Sequence, residues 1–128
     1  MSHIEDQVHK KFKVFVGELD ADNTIGALAE EITKFASASK IAPKSIGIEY
    51  LESVGRIIVT LGYREDEEPY PISLVTSPLG KIDSFADDFT ALERAMTEAS
   101  SKQSNIICHE LYATAGYDLL MIFMTHQA

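Results

Sequence analysis

Cysteine, histidine and glutamate stand side by side at Cys108-His109-Glu110, the side-chain types from which a thiolate nucleophile and its base are made. The surrounding stretch, Asn105 to Met124, reads as a strand, a turn and a nearly unbroken apolar run. Neighbouring side chains in a strand point to opposite faces. Cys108 and Glu110 should then share a face with Ile106 and Tyr112, and His109 the other face with Ile107 and Leu111. A dyad between adjacent strand residues is geometrically poor. A half-buried thiol and a hydrogen-bonded imidazole is the better reading.

Metal chemistry is served no better. The histidines are His3, His9, His109 and His126; no pair has helical i, i+4 spacing and no CxxC occurs. No metal site within one chain and no cofactor is expected. Glu65-Asp66-Glu67-Glu68 could attract a hard cation, but it lacks the glycine and alternate-residue spacing of a calcium loop. Asp20, Asp22 and Asn23 precede a segment that reads as helix, so capping is their better role. The chain has no glycine-rich phosphate loop, no GxSxG elbow and no SxxK. The tyrosines Tyr50, Tyr63, Tyr70, Tyr112 and Tyr117 cluster around strand ends, where such rings pack with the hydroxyl wet.

The 128 residues include 20 acidic and 11 basic side chains, a formal net charge of −9. Such a surface repels phosphate backbones and anionic lipid, so neither nucleic acid nor membrane is an expected partner. A single cysteine excludes an intrachain disulfide and fits a reducing cytoplasm. The start, MSHIEDQVHKKFK, lacks the apolar run of a secretory signal. Leu119 to Met124 is too short to span a bilayer. A soluble, cytoplasmic protein of one domain is expected.

The elements that must position these residues come in two similar sets. FKVFVGE (Phe12–Glu18) reads as a strand. Thr24 to about Ser39 carries Ile25, Leu28, Ala29, Ile32, Phe35 and Ala36 on one helical stripe, with Asp22 and Asn23 as caps. IEYLESVGRIIVTLGYR (Ile48–Arg64) reads as a hairpin. The second set begins with PISLVTS (Pro71–Ser77), closed by the turn SPLG. Phe85, Phe89, Leu92, Met96 and Ala99 form its helical stripe, starting at Asp83 and Ser84, with Asp87 and Asp88 in the first turn. HELYATAGYDLLMIFMT (His109–Thr125) is its hairpin. Gly55 and Gly116, and Val14 and Val75, align at an offset of 61.

The expected fold is α+β: two β-α-β-β repeats, 12–64 and 71–126, behind an N-terminal arm, 1–11. Two helices should lie on one face of a mixed four-to-six-stranded sheet. Ile57-Ile58-Val59 and Leu119 to Met124 show no alternation, so both faces of those strands should be covered. Two helices leave little to cover the second face, and a partner subunit is the expected cover, with the N-terminal arm and loops as the alternative.

This plan resembles the tautomerase superfamily, in the branch that includes macrophage migration inhibitory factor. SASKIAPKSIGIEYL (Ser37–Leu51) is similar to that family's helix end, lysine-containing loop and second strand. EPYPISLVTSPLGKID (Glu68–Asp83) is similar to its acidic loop, third strand and Gly-Lys-Ile turn. The resemblance implies a homotrimer that binds a small carboxylate ligand between subunits. It places Lys40 at the carboxylate-binding lysine, Leu79 at an apolar pocket wall and His109 near polar pocket residues. The family's base is an N-terminal proline, an amine whose pKa an apolar site lowers. Here that position falls at Lys11 or Phe12, and the first proline is Pro43. The usual proton chemistry should therefore be altered or lost, unless Lys10 or Lys11, once desolvated, substitutes as a primary amine. The alternative is a non-enzymatic assembly or regulatory module of ferredoxin-like type that binds a protein partner.

Overall fold

The computed structural model describes residues 11–18, 24–114 and 116–127. Their order is β1 (Lys11–Glu18), α1 (Thr24–Ser39), β2 (Ala42–Leu51), β3 (Arg56–Arg64), β4 (Ile72–Lys81), α2 (Phe89–Ser101), β5 (Ile106–Ala113) and β6 (Asp118–His126). The fold is α+β. The strands form two separate three-stranded antiparallel sheets, β1-β3-β2 and β4-β6-β5, rather than the single mixed sheet expected. A helix joins β1 to β2, but the tight hairpin that follows inserts β3 between them. Every pairing is then antiparallel.

α1 packs against β1 of the first sheet and β4 of the second. Its stripe joins a core that takes Ile57, Val59 and Leu61 from β3 and Ile122 and Met124 from β6. Ile32, Leu61 and Met124 are fully buried there; each such side chain contributes about 1.5–3 kcal/mol relative to exposure. At the far edges β2 and β5 meet. The Tyr50 hydroxyl donates to the Ala113 carbonyl at 2.9 Å and accepts from its N–H at 3.0 Å.

α2 lies elsewhere. Met121 and Phe123 of β6 pack with Leu79, Met96 and Ala99, on the face opposite Ile122 and Met124. The two helices therefore do not share one face. β6 is apolar on both sides because core and α2 cover it from within the chain, so no partner subunit is needed there.

Two boundaries depart from expectation. Asp88 caps α2 by accepting from the Ala91 N–H at 3.0 Å. Asp83 and Ser84, the expected start, sit in a short 3-10 turn, Ile82–Phe85. The SPLG segment does not end β4, which runs on to Lys81 across an irregularity between Pro78 and Gly80. Pro78 is tolerated because β4 is an edge strand. The expected caps Asp22 and Asn23, and the arm up to Lys10, lie outside the described residues.

The two halves have the same element order and the same strand order. Their pairing registers correspond at an offset of 62, not 61. Phe12 pairs with Gly62 as Leu74 pairs with Met124. Ser45 and Cys108 face those same partners, just after a register shift in each strand, Pro43/Ser45 and Ile106/Cys108. A slip of one residue exchanges the faces of a strand. Val14 therefore corresponds to Thr76, not Val75. The shift in β5 also turns Ile107 into the core and leaves Ile106 exposed, reversing the faces expected for that pair. Among the described residues no helix is long and apolar enough to cross a membrane.

Candidate functional site

Cys108 and His109 diverge as strand geometry requires. Cys108 packs on the main core while His109 is exposed. Burial pushes the Cys108 thiol up, against a smaller downward pull from a hydrogen bond with the Ile46 backbone. A thiol held protonated is a poor nucleophile. Burial likewise raises Tyr50 and Tyr70, and it pushes Tyr112 up to about 12. These hydroxyls stay neutral, the opposite of what a tyrosinate base needs.

Lys11 begins β1 on the surface, 2.8 Å from Glu65. The hydrogen bond to Glu65, then its charge, raises the Lys11 pKa. A proton-abstracting amine requires the reverse shift. The acidic loop is engaged in the same way elsewhere: Lys44 pairs with Glu67, and Arg64 with Asp66 and Glu67. These contacts clasp the loop to the ends of β1, β2 and β3. Among the described residues no group of three His, Cys, Asp or Glu side chains is placed to hold a metal.

Lys40 follows α1 in the left-handed region, with φ of 51°. It lines an open recess of about 220 Å³ with Ala36, Ser37, Pro69, Tyr70 and Pro71. The Tyr70 hydroxyl donates to the Pro43 carbonyl, which fixes the ring at the recess wall. Leu79 is half-buried beneath α2. His109 lies opposite Phe123 on β5. The recess at Lys40 is lined by none of Lys11, Phe12, Leu79 and His109, so the structure does not gather the five residues into one cleft.

Phe12 leads to a feature that the search for reactive groups passes over. Phe15 turns inward from β1, while Phe12, Val14 and Val16 turn outward at 64%, 51% and 52% exposure. Their partners across β3 are Gly62, Thr60 and Ile58. The outer face of the first sheet is thus a low floor with three apolar side chains along one edge. Among the described residues β1 is also an edge strand, paired with β3 alone. The signal was present in the sequence: β1 is apolar at Phe15 and again at Phe12, Val14 and Val16, more than one buried face requires.

Comparison with protein-family models, with curated proteins and with solved structures finds no match to this chain.

Proposed function

We propose that the protein is a non-enzymatic assembly or regulatory module that binds a protein partner through the outer face of its first sheet. The observation that carries this reading is the exposed row Phe12, Val14 and Val16 on an edge strand. Contiguous exposed apolar surface marks interaction sites on soluble domains. Cys108, Tyr112 and Lys11, shifted toward their protonated forms, offer no base or nucleophile to set against it. The test is affinity purification of wild type beside Val14→Lys, whose side chain is exposed and whose folding is checked by circular dichroism. One stoichiometric protein retained by the wild type and released by Val14→Lys is expected. Identical proteins on both would overturn the reading.

A second reading is a tautomerase-like binder of small carboxylates, without the proline base, in a homotrimer. The recess beside Lys40 and Tyr70 favours it. A lysine ammonium supplies a point charge for a carboxylate. Titration with phenylpyruvate, followed by amide chemical shifts, should then perturb residues around Lys40, and Lys40→Ala should abolish the change. Unchanged spectra for the wild type would remove this reading.

A further inference from the structure

Two recesses follow one another between α1 and the chain that enters and forms β4. One is the recess beside Lys40, Tyr70 and Pro71. The other, of about 490 Å³, lies between Gly26, Ala29, Thr33 and Lys34 of α1 and Leu74 and Thr76 of β4. Together they trace a furrow along α1 from Gly26 to Lys40, about 21 Å at 1.5 Å per residue. Backbone pairing tells which groups of β4 turn toward it. The Gln127 N–H donates to the Pro71 carbonyl, so these two residues extend the β4-β6 ladder as a hydrogen-bonded pair. In an antiparallel ladder such pairs alternate with pairs whose backbone groups point away from each other. Ser73, Val75 and Ser77 therefore face β6, while Leu74 and Thr76 turn their N–H and C=O groups to the other side. The His126 N–H fixes the same phase, because it donates to the Asn105 carbonyl on the β5 side. At Tyr70 the outward side of the chain meets the end of α1: its N–H donates to the Ile41 carbonyl at 3.3 Å. Beyond that bond the two walls part and the furrow opens. Among the described residues β4 pairs with β6 alone.

The furrow is cationic in a chain of net charge −9. Lys34 lines one recess and Lys40 the other, against a single carboxylate, Glu30. Both lysines are exposed, and among the described residues neither is ion-paired. Residues 72–77 pair with β6 in unbroken register, and the irregularity comes only between Pro78 and Gly80. The stretch beside the furrow thus lacks the bulge, proline and charges that blunt an edge strand. We propose that the furrow binds an extended acidic segment of a partner protein, which adds to β4 as a further strand and lays its carboxylates against Lys34 and Lys40. Length favours a peptide over a compact metabolite, since about six extended residues at ~3.3 Å each span the furrow. Main-chain bonds to Leu74 and Thr76 supply the affinity in this mode, and charge supplies the selection. Phe12, Val14 and Val16 line neither recess, so the site is separate from the outer face of the first sheet.

The probe is acetyl-Val-Glu-Val-Glu-Val-Glu-amide, titrated into the isotope-labelled chain, with acetyl-Val-Lys-Val-Lys-Val-Lys-amide as its control. The acidic peptide should shift the amides of Leu74, Thr76 and the α1 residues of the furrow. The lysine peptide should bind about ten-fold more weakly or not at all. Lys34→Glu reverses the charge of an exposed side chain and should weaken the acidic peptide by a similar factor. Thr76→Pro removes one outward donor and no bond to β6, so it should weaken binding while the melting temperature holds. Methylation of the peptide nitrogens gives a readout that charge alone does not move. Methyl groups on one set of alternate residues remove the donors to β4 and should abolish binding; on the other set they point away and binding should persist. No shift with the acidic peptide, equal affinity for the lysine peptide or equal loss with both methylation patterns overturns the proposal. Shifts centred on Phe12, Val14 and Val16 overturn it as well. The purification with Val14→Lys reads the outer face and not the furrow, so either site can fail alone.

Discussion

Protonation separates packing from chemistry at the residue scale. A catalytic centre needs groups shifted toward neutrality. In this chain burial moves Cys108 and Tyr112 up, and a carboxylate partner moves Lys11 up. The divergence of Cys108 from His109 was legible in the sequence, because the two-residue period of a strand fixes it. The ion pair of Lys11 was not, since Glu65 lies 54 positions away and only the pairing of β1 with β3 brings it near. Tyr112 gives a direct check. A phenol ionises near 10 in an unfolded chain and about 12 in this fold. The folded state thus holds its proton more tightly. The stability this represents is fully present below pH 10 and lost as pH rises from 10 to 12. Absorbance at 295 nm should show a late tyrosine component near pH 12 that disappears in Tyr112→Phe. An unaltered titration in that variant would refute the assignment.

Elements were legible where one periodicity dominates. The α1 stripe from Ile25 to Ala36 predicts its helix because those spacings have no strand counterpart. The start of α2 was less clear: Asp83, Ser84, Asp87 and Asp88 are all capping types, and only backbone geometry selects among them. Asp88 makes the bond to Ala91. Asp88→Ala should lower stability by about 1 kcal/mol, read as a lower urea midpoint with unchanged slope. Asp83→Ala should have a much smaller effect, and equal losses would show that the cap is misassigned. Register was the hardest feature to read. Gly55 and Gly116 invite an offset of 61, but their loops differ in length: Leu51 pairs with Arg56, whereas Ala113 pairs with Leu119. That one residue decides whether Val14 matches Val75, on the α2 side of the second sheet, or Thr76, on the side that meets α1.

The whole molecule is a stack in which α1 is shared by two sheets and α2 covers the far side of the second. The sequence carried the element order, and it carried the excess of apolar positions in β3 and β6. It could not say what covers them, because a strand buried by its own chain and one buried by another have the same composition. For β6 the cover is α2. For the outer face of β1, none of the described residues supplies a cover: Phe12, Val14 and Val16 stay exposed, and the account rests on that difference. Hydroxyl-radical footprinting of Phe12 tests it most directly, comparing the purified chain at high dilution with the protein in an extract of its own cells. Val54 and Tyr117, exposed apolar residues outside the patch, serve as internal references. The account predicts that oxidation of Phe12 falls several-fold in the extract while Val54 and Tyr117 are unchanged. Equal oxidation of Phe12 in both samples would contradict it.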